Sequence, residues 1–354
     1  MTNDYTPQNA SDHLIHVVMT SISSLIRVAE YERIVGFQSH CAELQKDIKL
    51  LSEALICIHF CQPDHPLTPA LLDGLRGIIL HRYTLQAVRL NPLLATWLLN
   101  AVALLQDHYD VSRERNFALE LVDRFGLHTL DAPSYRLEEN RYLFAKLKGQ
   151  RYAPSIDQTF ERNFCRLSRD QVYALTHLLF YVSDYGMSRY SCSRERSFAL
   201  EHLVCDAYLN DDVDIMLELM LVYRACEQSD QKSLALFEKL LVKRIVGSSQ
   251  LHHALTEINS EHFQTHYHQC LLAMMYGQVN TCRSRLDLTT YRALRATHGF
   301  HSSLRSANYV KAAQKFTGLV GVDSARLKFC RENLDHYLAL ERHHLGMTMS
   351  PKVC

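Results

Sequence analysis

The sequence predicts an all-α fold, and three observations carry that expectation. Only 12 Gly and 8 Pro occur in 354 residues, too few turn-forming residues for a chain built of hairpins. Apolar residues recur at helical spacing along most of the chain, and no segment shows the alternation of a half-buried strand. A nine-residue element, Ser112-Arg-Glu-Arg-Asn-Phe-Ala-Leu-Glu120, returns 81 residues later as Ser193-Arg-Glu-Arg-Ser-Phe-Ala-Leu-Glu201. Each copy follows an apolar helix and a Tyr-containing turn, an order that points to internal duplication. Helix pairs repeated in this way stack into a short solenoid or close into an α/α toroid.

In chain order, residues 1–11 read as a polar, disordered lead-in, and 12–354 as a single all-α domain. Two helical halves, 12–150 and 159–354, joined by a loop-rich segment near 126–158, are the alternative division. Ser11-Asp12 can cap a helix over about 13–31, with Val17, Val18, Ile22 and Ile26 on its apolar face. A second helix is expected over about 41–61, carrying Leu51, Leu55 and Ile58. Pro63, Pro66 and Pro69 break the chain, and Thr68-Pro69 opens the next helix. Leu93 to Leu105 is apolar nearly all round and holds the only Trp, Trp97, which makes it a central helix. In both repeat copies a Ser at the cap with Glu in the first turn reads as a helix start. Further helices are expected near 136–148, 211–225, 231–246, 261–276, 289–297, 307–317 and 324–344.

Lys+Arg and Asp+Glu both total 38, so formal net charge is zero with His neutral, and nothing suggests a nucleic-acid surface. The 20 His would make the protein basic below about pH 6. Eleven Cys, an odd number without framework spacing, read as reduced thiols of a cytoplasmic protein. Cys57 and Cys61 flank His59, but a structural zinc site wants a second such pair nearby in sequence. No apolar run approaches the roughly 18 residues of a membrane span. A phosphate-binding Gly loop, a dinucleotide fingerprint and a Gly-x-Ser-x-Gly elbow are all missing, so no nucleotide cofactor is expected.

Candidate chemistry concentrates in Tyr173-Ala-Leu-Thr-His-Leu-Leu-Phe-Tyr-Val-Ser-Asp-Tyr-Gly186. Tyr173, His177, Tyr181 and Asp184 fall at i, i+4, i+8 and i+11, on one helical face. Their flanks, Leu175, Leu178, Leu179, Phe180 and Val182, are apolar, so this polar stripe looks into protein or a pocket, and Gly186 suits the left-handed turn after a helix. The stripe serves either as a general acid/base set or as an internal hydrogen-bond network. A second constellation, Glu261-His-Phe-Gln-Thr-His-Tyr-His268, sets His262 and His266 at i, i+4, with His268 nearest the apolar run that follows. Arg292, Arg295, His298 and His301 read as a solvated helix face, an anion-binding face being the alternative. His343 and His344 read as helix-end residues.

Tyr173-Ala-Leu-Thr-His177, Phe180-Tyr181 and Ser183-Asp184-Tyr185-Gly186 resemble the signature of an uncharacterised bacterial all-α family, a domain of unknown function often encoded among natural-product biosynthesis genes. The family pattern reads Tyr-Ala-Leu-Thr-His, Phe-Tyr and Thr-Asp-Phe-Gly, so Ser183 and Tyr185 depart from it. Tyr267-His268-Gln-Cys-Leu271 is similar to a later Tyr-His-Thr-Thr-Leu element, departing at Gln269 and Cys270. The resemblance covers about 90–280 and implies that His177, Asp184 and His268 share one site.

The expected function is that of a cytoplasmic bacterial enzyme or enzyme subunit of specialised metabolism. It would perform proton-transfer chemistry, such as elimination, cyclisation or acyl transfer, on a small-molecule or carrier-bound substrate. His177 is the expected general acid/base, Asp184 its orienting group or a base, Tyr181 and Tyr173 hydrogen-bonding groups, and His268 a residue facing them. One alternative has His177, Asp184 and His268 ligating zinc or non-haem iron. Another is a helical-repeat scaffold that binds protein partners without catalysis.

Overall fold

The structure, a computed structural model, describes residues 13–24, 26, 41–61, 65–90, 94–126, 134–150, 152, 163–186, 188–258, 260–277, 288–319 and 322–344. Among these the chain is helical throughout, and the sole β feature is an isolated bridge between Tyr190 and Cys226. The all-α expectation holds. The polar lead-in over 1–11 and, within the segment 126–158, residues 127–133, 151 and 153–158 lie outside the described residues. None of the described helices is long and apolar enough to cross a membrane.

The chain divides into two compact units that interleave in sequence. The first comprises Met1–Ser155, Ala174–Ser188 and Lys243–Cys282; the second comprises Ile156–Tyr173, Arg189–Val242 and Arg283–Cys354.

The first unit contains α1 (residues 13–24), α2 (Cys41–Cys61), α3 (Thr68–Ile79), α4 (Arg82–Leu90), α5 (Ala95–Leu105), α6 (Ser112–Phe125) and α7 (Ser134–Leu147). Every residue of α5 is buried, as its all-round apolar sequence requires. It packs against α2, α3, α4, α6 and α7. Buried Asn100 on α5 donates to Ser52 Oγ on α2 at 3.0 Å, and Thr96 on α5 donates to Asn140 Oδ1 on α7 at 2.8 Å. These bonds fix helix register where polar groups are withdrawn from water.

In the helix α8 (Arg169–Val182), residues up to Tyr173 belong to the second unit and those from Ala174 on to the first. The first unit is completed by α12 (Ser249–Thr256) and α13 (Ser260–Gly277). At His266 the backbone of α13 leaves the helical region (φ −119°, ψ 20°), so His262 and His266 do not share one regular helical face.

In the second unit a 3-10 turn (Phe164–Arg166) precedes α9 (Arg194–Leu209) and α10 (Val213–Ala225). The helix α11 (Gln231–Gly247) follows, then α14 (Leu288–Arg305), α15 (Tyr309–Thr317) and α16 (Ser324–His344). Ile215 to Tyr223 of α10 are buried without interruption. Buried Tyr223 donates to Glu201 Oε1 on α9 at 2.7 Å, and the same carboxylate pairs with Arg326 on α16.

Two expectations need correction. Ser193 does cap α9, accepting from Arg196 N at 3.0 Å, but Ser112 lies inside α6. There Val111 is the N-cap with no side-chain cap bond, and Asp110 Oδ1 accepts from the Ser112 backbone N–H at 3.1 Å. The thiols are also not all reduced: Cys192 and Cys226, with Cα atoms 5.8 Å apart, are disulfide-bonded. Tyr190 N donates to Ala225 O at 3.0 Å and Glu227 N to Tyr190 O at 3.1 Å. This backbone pairing lays the segment before α9 along the end of α10 and brings the two sulfurs together. The cysteine ground for placing the protein in a reducing compartment therefore falls. Cys57, Cys165, Cys205, Cys270 and Cys330 are free thiols.

Candidate functional site

The polar stripe of α8 lies where this helix enters the first unit. The helix ends at Val182, and the next residues turn left-handed in succession: Asp184 (φ 45°), Tyr185 (φ 57°) and Gly186 (φ 83°). Gly tolerates this conformation, but a bulky residue such as Tyr185 does so at a cost of about 1–3 kcal/mol, and such strain clusters at functional sites. Ser183 closes the turn, its hydroxyl donating to Leu179 O at 2.7 Å and accepting from Gly186 N at 3.0 Å.

The turn changes the expected geometry of the stripe. Asp184 is outside the helix, so it does not continue the face of His177 and Tyr181. Its Oδ1 accepts from Tyr142 Oη on α7 at 3.0 Å, and its Oδ2 accepts from Ser188 Oγ at 3.4 Å. Tyr142 in turn stacks on Tyr181, with ring centroids 5.1 Å apart. Buried Tyr185 donates to Asn100 Oδ1 at 3.5 Å. Burial first, then the carboxylate of Asp184, pushes the Tyr142 phenol well above its ordinary range. Burial, then Tyr142 and Glu139, does the same to Tyr185. Both phenols therefore stay protonated donors across the neutral range.

His177 Nδ1 lies 3.1 Å from Tyr181 Oη. His268, on α13, has its Nδ1 3.1 Å from Glu53 Oε2 on α2. Glu53 also lies 3.6 Å from Lys49 Nζ, one turn earlier. Its side chain is only 13% exposed. Burial pushes its pKa up, but the hydrogen bond to His268 and the charges of His268, Lys49 and His177 outweigh that and hold it below its ordinary value. Both imidazoles thus lie within electrostatic reach of one buried carboxylate. Because a carboxylate only accepts, His268 presents its Nδ1–H to Glu53.

Four of the expected site residues, His177, Tyr181, Asp184 and His268, fall in the first unit. Tyr173 stands one turn before His177 on α8, half-buried, as the last residue of its segment of the second unit. The expected ligand set of His177, Asp184 and His268 is not gathered as a metal cluster among the described residues: Tyr142 engages Asp184, and Glu53 engages His268. Sequence reading missed Glu53, Tyr142, Tyr185 and Asn100. A signal for Glu53 was present, a carboxylate in the apolar run Leu50-Leu51-Ser52-Glu53-Ala54-Leu55-Ile56. Cys57 donates to Leu271 O at 3.6 Å, while His59 meets His108 at 3.2 Å, so these two neighbours are engaged separately.

A family model, that of a domain of unknown function (DUF6895), matches residues 38–278. The matched span contains Glu53, Tyr142, His177, Asp184 and His268. No curated protein and no solved structure matches the chain.

Proposed function

The chain belongs to the family of the domain of unknown function DUF6895, and we propose that it is an enzyme of bacterial specialised metabolism whose first unit moves protons on a small or carrier-bound substrate. The carrying observation is the Glu53–His268 pair, 3.1 Å apart, with His177 in electrostatic reach. In this reading Glu53 holds His268 in the tautomer that makes Nε2 a general base. His177, whose Nδ1 lies 3.1 Å from Tyr181 Oη, serves as general acid in its imidazolium form. Asp184 acts through Tyr142, whose ring packs on Tyr181 and keeps that phenol beside His177. The strained turn over 184–186 supports the reading, because strain is retained where a site needs a fixed geometry. Elimination, cyclisation or acyl transfer are the reaction classes such a pair of imidazoles serves. The metabolic setting is supported by the resemblance of the segment 173–186.

The test compares metabolite extracts, by mass spectrometry, from cells expressing wild-type protein and the variants Glu53→Gln, His268→Ala and His177→Ala. Each variant is expected to lower product formation by about 10²- to 10⁴-fold, the usual share of general acid/base catalysis, with unchanged far-UV circular dichroism. Undiminished product from a folded Glu53→Gln/His268→Ala double variant would sink the proposal.

A further inference from the structure

The second unit holds a separate cluster of imidazoles. His202 and Asp206 stand one turn apart on α9, and His298 faces them from α14. The His202 and His298 rings are stacked, with centroids 4.8 Å apart and planes inclined by 21°. His298 Nε2 approaches Asp206 Oδ1 at 3.5 Å. One donor atom from each of the three residues lies within 4.8 Å of the other two. His202 is only 6% exposed, and its Nδ1 has no hydrogen-bond partner.

Leaving a buried ring nitrogen unmatched costs about 1–3 kcal/mol, and His202 Nδ1 is such an atom, clustered here with His298 and a carboxylate. Asp206 is itself aimed by Arg305, whose Nη1 donates to Oδ2 at 2.6 Å, leaving Oδ1 directed at the imidazoles. We propose that His202, Asp206 and His298 form a binding site for a divalent transition-metal ion of the zinc type. Two imidazole nitrogens and one carboxylate oxygen suit zinc, which binds such atoms at about 2.0–2.2 Å and leaves a fourth position open. Arg305 is the outer partner that orients the carboxylate.

His301, 2% exposed and packed at 5.0 Å on the His202 ring, walls the cluster from its inner side. Its burial corrects the expected solvated face, although Arg292 and Arg295 are exposed. His298 lies outside the residues matched by the family model, so the site is not confined to the matched span.

The full chain, stripped with a chelator and titrated with zinc chloride by calorimetry, is expected to take up one zinc per chain at this site. Its thermal midpoint should rise with zinc. His298→Gln and Asp206→Asn, which keep side-chain size, should each lower affinity by at least about 100-fold, and Arg305→Met by about 10- to 100-fold. His262→Ala and His266→Ala, in the first unit, should leave affinity unchanged. No zinc uptake by the folded wild type, or uptake that His298→Gln and Asp206→Asn leave intact, would overturn the proposal. Circular dichroism of each variant separates loss of the site from loss of the fold.

Discussion

Glu53 sits in a run of apolar residues where burial by itself would keep a carboxyl protonated. His268 and Lys49 reverse that, and the folded carboxyl ionises below its ordinary value of 4.5. A group whose pKa is depressed by folding contributes stability that is complete above its unfolded pKa and is lost as pH falls through the folded one. The stability difference between wild type and Glu53→Gln should therefore be largest at neutral pH and shrink as pH falls below about 4.5. Urea unfolding at pH 7 and at pH 4 measures it, and a pH-independent difference would contradict the Glu53–His268 pairing. The sequence showed His177 and His268 as polar residues in apolar surroundings, but pairing across 215 positions is a tertiary fact. Period and spacing describe one helix at a time.

Among the elements, the two copies of the repeat show how nearly equal sequences take different caps. In α9, Ser193 has extended backbone and accepts from Arg196 N. In α6 no side chain caps the helix, Ser112 is helical, and Asp110 accepts only from the Ser112 backbone N–H. Ser193→Ala should thus cost about 0.5–2 kcal/mol, and Ser112→Ala distinctly less. Chemical denaturation of the two variants side by side decides it; equal losses would mean that both copies are capped alike. Helix boundaries were mostly legible, because amphipathic period and the Pro-led starts are local signals. The expected helix over 324–344 matches α16, and 211–225 differs from α10 by two residues at its start. Missed were α4 and α12, helices too short for a long periodic face. Where α8 ends was also misjudged, because the helix stops at Val182 and the chain is left-handed from Asp184 to Gly186.

For the molecule as a whole, the disulfide is the largest departure from expectation. It joins residues 34 positions apart within the second unit. Closing a loop of that length stabilises by about 2–4 kcal/mol in the chain-entropy view. Reduction should lower the denaturation midpoint accordingly, and Cys192→Ser/Cys226→Ser should reproduce the loss without reductant. An unchanged midpoint in both would count against the bond. In hydrogen exchange, the amides of α9 and α10 are the ones expected to lose protection first, since the bridge ties the start of one to the end of the other.

By itself the sequence determined the all-α class, most helix positions and the central place of α5. All of these follow from the spacing of apolar residues within a single segment. Only the tertiary structure decided the partners: Glu53 for His268, Tyr142 for Asp184, Cys226 for Cys192, and the meeting of His202, Asp206 and His298. Those contacts join distant segments, and helical periodicity gives the direction in which a side chain faces but not the identity of what it meets there.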